Sequence, residues 1–135
     1  MLPAGSADAP LPTLHRLIEV ARGREAQAAG ASGGDAWLAV RGMVHLALAR
    51  RDSRVAVYDL RESIERAAAP LPEGFAEAAA MVGGAACLES IAEQLARPSG
   101  DAGSSMRTWR DDLLQAGRRI AVRERLTRRH AVMKK

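Results

Sequence analysis

The chain has 135 residues and a mass of 14.4 kDa, the length of one domain, and folding would bury roughly two thirds of the surface it exposes unfolded. Apolar residues make up 47% of it but aromatics only 3%, and the abundance of Ala and Leu favours helix over sheet. Its net charge of +4 is divided: from Arg107 onward ten basic residues oppose three acids, and the rest carries ten basic against thirteen acidic residues.

Breakers divide the chain into six predicted helices. Residues 1–11, rich in Pro, Gly and Ala, read as a flexible segment. Thr13 is positioned to cap a first helix, "LHRLIEVARGREAQAA", in which Leu14, Leu17, Ile18 and Ala21 recur at helical spacing. "GASGG" at 30–34 ends it, and Asp35 is the expected cap of a second helix reaching about Arg51. Asp52 or Ser53 then caps a third, "RVAVYDLRESIERAAA", which Pro70 and Pro72 stop. A short Ala-rich fourth helix, "EGFAEAAAMV", runs up to Gly83 and Gly84; the fifth is "AACLESIAEQLA". After the loop "PSGDAGSS" comes a sixth, from about Met106 to Arg125, with a basic tail at 127–135. No stretch alternates with period two, so the expected class is all-α, with short linkers that favour antiparallel neighbours.

Pairing the helices puts one set of starts near residues 36, 73 and 105 and the other near 13, 53 and 86. A recurrence of about 32–40 residues per helix pair is what a stacked α-solenoid requires. Two passages, "ARRDSRVAVYDLRESIERA" and "FAEAAAMVGGAACLESIAEQLARP", carry a likeness. The first sets Asp52 at an inter-helix turn and Val55 early in the next helix; the second is an Ala-rich helix ending at Val82 and Gly83, followed by Leu88, Ile91 and Leu95. In these the chain resembles the short, Ala-rich bacterial form of the HEAT-repeat family over residues 36–126. It departs from that pattern at Ala56, where the family often has Arg, and at Gly84, where it has a turn aspartate. The resemblance implies a HEAT- or armadillo-like superhelix over residues 12–126 that works as a protein-binding scaffold, either self-capped or the C-terminal part of a longer solenoid. A Trp–Leu-Gly–Tyr tetratricopeptide pattern threads through Trp37 only with mismatches.

Nothing in the chain forms a catalytic or metal motif. His15, His45 and His130 lie far apart, and no H-E-x-x-H or C-x-x-C spacing occurs. His45 reads as a satisfied residue on an apolar helix and Cys87 as packing. Asp59, Glu62 and Glu65 share a helical flank and alternate with Arg61 and Arg66, the pattern of a salt-linked solvent face more than of an acid pair. No phosphate loop or nucleophile elbow is present, so no catalytic site, cofactor or metal is expected. The single cysteine fits a reducing compartment. The start lacks a leader pattern, and the most apolar run, "AWLAVRGMVHLALA", contains Arg41 and His45 and is too short to cross a bilayer. The expected location is cytoplasmic.

Helix phase nominates two surfaces. A protein-binding face is expected from Arg54, Tyr58, Arg61, Glu62 and Glu65 on the third helix with Glu89 and Glu93 on the fifth. On the sixth, Met106, Trp109, Leu113, Ala116 and Ile120 fall within an arc of about 80° at ~100° per residue, with Trp109 turned to the core. Arg107, Arg118, Arg125 and Arg129 occupy the opposite side, flanked by Arg110 and Arg128. That stripe is the solvated edge of a helical stack and is available to an acidic protein partner. As an alternative, it grips nucleic-acid phosphates through Arg forks. Membrane-surface binding would require the apolar face to undock. Self-association through an uncapped end follows from the repeat logic.

Overall fold

The computed structural model describes residues 10–28, 33–97 and 103–133, with side chains in the last stretch described as far as Arg125. Six helices and no strand occupy these residues: α1 (Leu11–Gln27), α2 (Gly33–Arg50), α3 (Val57–Arg66), α4 (Glu73–Val82), α5 (Ala85–Ala96) and α6 (Ser104–Met133). The expected flexible segment lies outside the described residues save Pro10 and Leu11. Helix α6 runs on through the expected tail boundary after Leu126.

α4 and α5 start and stop where Pro72, Gly83 and Gly84 dictate. The expected caps of α1, α2 and α3 need correction. α1 opens at Leu11, with Pro12 in its first turn where no amide is needed, so Thr13 lies inside the helix. Asp35 sits in the first turn of α2, where its charge suits the helix dipole. Asp52 closes α2 and does not open α3. It adopts φ 56°, its N–H donates to the Ala49 carbonyl at 2.9 Å, and the Ser53 N–H donates to the Leu48 carbonyl at 3.0 Å. Those two bonds are the Schellman pattern, and Asp is among the few non-glycine residues that accept its left-handed position. α3 therefore begins later, at Val57, preceded by Ala56 with no side-chain cap.

α1 packs on α2, α2 on α4 and α4 on α6; α3 lies against both α4 and α5, and α5 against α6. α4 and α6 run in the same direction. Glu73 shares a recess with Asp112, Glu77 meets Arg119 at 3.7 Å, and the Ala80 and Gly83 carbonyls accept from Arg123. α3 and α5 are likewise co-directional: Glu65 accepts from Ser90 at 3.1 Å, and farther along Gln94 donates to the Ile64 and Ala67 carbonyls at 2.7 and 2.9 Å. Side chains of the later helix thus satisfy the unpaired carbonyls at the end of the earlier one. Arg110 does the same for Leu95 at 2.7 Å.

α4 explains the Ala-rich composition. Three helices surround it, and Phe75, Ala76, Ala78, Ala79, Ala80 and Val82 are buried. Methyl side chains let its neighbours come close. At its start, a Cβ on Gly74 would stand 2.6 Å from the Gly42 carbonyl oxygen, so the two backbones nearly touch. The main core joins Leu60, Ile64, Phe75, Ile91, Trp109, Leu113 and Ile120; a smaller one joins Leu14, Ile18, Val44 and Leu48 between α1 and α2. The apolar arc read on α6 is buried at Trp109, Leu113, Ala116 and Ile120. No helix among the described residues is long and apolar enough to cross a membrane.

Candidate functional site

The densest polar chemistry is inside the fold. Arg41, 6% exposed in the middle of α2, extends its guanidinium across Phe75 of α4, 5.1 Å from the ring centre. Its Nε and Nη2 donate to the two carboxylate oxygens of Glu25 on α1 at 2.6 and 3.0 Å. Its Nη1 donates to Asp59 Oδ2 on α3 at 2.9 Å and to the Ser63 hydroxyl. His45, one turn along α2, places Nε2 2.8 Å from the same Asp59 oxygen. Arg22 reaches the other Asp59 oxygen and bonds Glu62 at 2.7 Å.

Electrostatics follow from this geometry. Burial works against the Asp59 charge, yet the His45 hydrogen bond and the Arg41 guanidinium bring its pKa down to about 2. Burial likewise opposes charge on Arg41, but its bonds to Glu25 and Asp59 outweigh that and raise its pKa. His45 is lowered because burial disfavours the imidazolium more than Asp59 favours it, so the neutral ring donates its Nε2–H. No buried side-chain nitrogen or oxygen among the described residues lacks a hydrogen-bond partner. These bonds can lock α1, α2 and α3 over α4.

The carboxylates that share a flank in sequence part company here. Asp59 turns inward to Arg41, Glu62 bonds Arg22 and pairs with Arg66 at 3.5 Å, and Glu65 accepts from the buried Ser90. The salt-linked face thus holds for Glu62 and not for Asp59. No group of His, Cys, Asp or Glu among the described residues could hold a metal ion. Cys87 is buried, and that burial pushes its thiol up.

The nominated protein-binding residues lie along α3 and α5. Tyr58 is 66% exposed, and the Arg61 guanidinium stacks on its ring at 5.2 Å. Glu65, Glu89, Ala92, Glu93 and Arg97 border a shallow recess of about 520 Å³ between the two helices. Arg54 is exposed before α3, whereas Glu62 is already engaged by α1.

On α6, Arg107, Arg118 and Arg125 are exposed and form no ion pair with described residues. The side chains of Arg128 and Arg129 lie outside those described. Arg119 and Arg123, by contrast, are turned to α4. The sequence reading missed the roles of Glu25 and Arg41. The available signal was Arg41 with His45 four residues later in the most apolar run of the chain, a cation and an imidazole donor that burial obliges to find acceptors. The chain matches no protein-family model, and no curated protein or solved structure shows significant similarity to it.

Proposed function

We propose that the chain is a non-catalytic protein-interaction scaffold, a short solenoid of HEAT-like helix pairs. The observation that carries this reading is the co-directional packing of α4 with α6 and of α3 with α5, each later helix satisfying the carboxy-terminal carbonyls of the earlier one. Stacking of that kind builds a rigid ladder with a continuous helical face. On the α3–α5 face, Tyr58 stacked with Arg61 is an anchor of the type that dominates protein interfaces. The Glu65, Glu89 and Glu93 carboxylates beside it suit a partner that brings a basic side chain; the exposed α6 arginines suit an acidic patch. The test is capture of a partner by the wild-type chain against Tyr58→Ala with Arg61→Ala. Retention of the same partner by the double variant would remove this face from the account.

A second reading rests on three arginines that form no ion pair among the described residues, Arg107, Arg118 and Arg125, which share one side of α6. They would grip nucleic-acid phosphates. The DNA-binding constant read by anisotropy should then fall steeply with salt, with a log–log slope of about −2.7 for three phosphates, and binding should be lost on changing Arg118 and Arg125 to Gln.

A further inference from the structure

The outward side of α6 is not uniformly polar. At ~100° per residue, Arg107, Leu114, Arg118, Val122 and Arg125 fall within an arc of about 80°, opposite the buried Trp109, Leu113, Ala116 and Ile120. Leu114 is 43% and Val122 54% exposed, one turn to either side of Arg118. Asp111 is the acid on this arc, against three exposed guanidinium groups. Beside Val122 lies a shallow recess of about 420 Å³, bordered by Arg118, Arg119 and Arg123. The Arg119 guanidinium is drawn toward Glu77 and that of Arg123 toward the Ala80 carbonyl. Their aliphatic stems are left to line the recess, and its walls are mostly carbon.

A helix edge that served solubility alone would have no use for Leu114 and Val122 between its arginines. A phosphate backbone would engage the guanidinium groups and leave both aliphatic side chains in water. A lipid surface asks for a broader apolar face than two side chains with Asp111 between them. The occupant that uses every feature is an acidic amphipathic helix laid along α6. Arg118 and Arg125 are seven residues apart, about 10.5 Å along the axis, which is two turns. A partner helix with carboxylates at that same interval can answer both, and an apolar residue between them then faces the Val122 recess.

We propose, building on the scaffold reading, that the outward side of α6 docks an acidic amphipathic helix of a partner protein, with carboxylates on Arg118 and Arg125 and an aliphatic side chain in the Val122 recess. The test is fluorescence anisotropy of the full chain with a labelled synthetic helical peptide of about 18 residues, a length that spans the arc. It carries Glu at seven-residue intervals and Leu between them; a twin has Gln for every Glu. The acidic peptide should bind, and salt should weaken it. Arg118→Gln with Arg125→Gln should raise the dissociation constant about tenfold or more. Leu114→Ser with Val122→Ser should do the same; these side chains are exposed, so thermal melts should match the wild type. No binding of the acidic peptide, or equal binding of the Gln twin, overturns the proposal. So does peptide binding that ignores the Leu114 and Val122 changes, or that is displaced equally by duplex DNA or by phosphatidylserine vesicles. The scaffold reading is tested separately at Tyr58 and Arg61, so a peptide that fails at α6 strikes this inference alone.

Discussion

Arg41 of α2 and Asp59 of α3 meet at 2.9 Å across 18 residues of sequence, with both oxygens of Glu25 on the far side of the same guanidinium. One buried cation therefore ties three helices. Removing a single member leaves charge without a partner in a poorly hydrated place, and such breaks cost about 3–5 kcal/mol. Arg41→Met should accordingly destabilise the chain by about 3 kcal/mol or more in urea unfolding. Asp59→Asn should cost less, since Glu25 still answers Arg41. An equal or smaller loss for Arg41→Met would mean that the network contributes little.

The same cluster sets a pH dependence. Asp59 is lowered from 3.8 to about 2 in the fold. Its contribution is therefore present above the unfolded value and is lost as pH falls from about 4 through 2. His45 is also lowered, from 6.5. The unfolded chain then binds the proton more readily, so stability should already decline as pH drops below 6.5. In urea titrations His45→Gln should flatten the decline below pH 6.5 and leave the acid limb in place. A wild-type stability that rises on acidification would contradict both signs.

Two glycines in helices should respond in opposite directions. A Cβ at Gly74 would stand 2.6 Å from the Gly42 carbonyl oxygen, so Gly74→Ala forces α2 and α4 apart and should cost about 1–3 kcal/mol. Gly23 in α1 has nothing within 4 Å of the same added atom, and Gly23→Ala should stabilise by roughly 0.5–1 kcal/mol through helix propensity. Thermal melts of the two variants check this directly. A neutral Gly74→Ala would show that the helices are not held in close approach.

Much of the fold was legible because its determinants are local. The Pro and Gly punctuation around α4 and α5, and the phase of Trp109, Leu113 and Ile120 on α6, depend only on neighbours along the chain. The helix starts were less legible: Thr13, Asp35 and Asp52 are all capping residue types, but backbone geometry decides among the roles. Asp52 took the left-handed position that ends α2. The buried network was hidden for a different reason. Asp59, Glu62 and Glu65 look alike by spacing, and what separates them is Arg41, Arg22 and Ser90, supplied by other helices 18, 40 and 25 residues away. Nor does local spacing show that Glu73 and Asp112 share one recess, since α4 and α6 come together only through packing.

The measurement that bears most directly on the scaffold account is site-specific photocrosslinking in cells expressing the chain. One crosslinker replaces Tyr58 on the α3–α5 face and another replaces Arg118 on the outer side of α6. The account predicts a discrete protein adduct at position 58 that disappears when Arg61 is changed to Ala. No protein adduct at 58, together with a nucleic-acid adduct at 118, would contradict it and transfer the function to the arginines of α6.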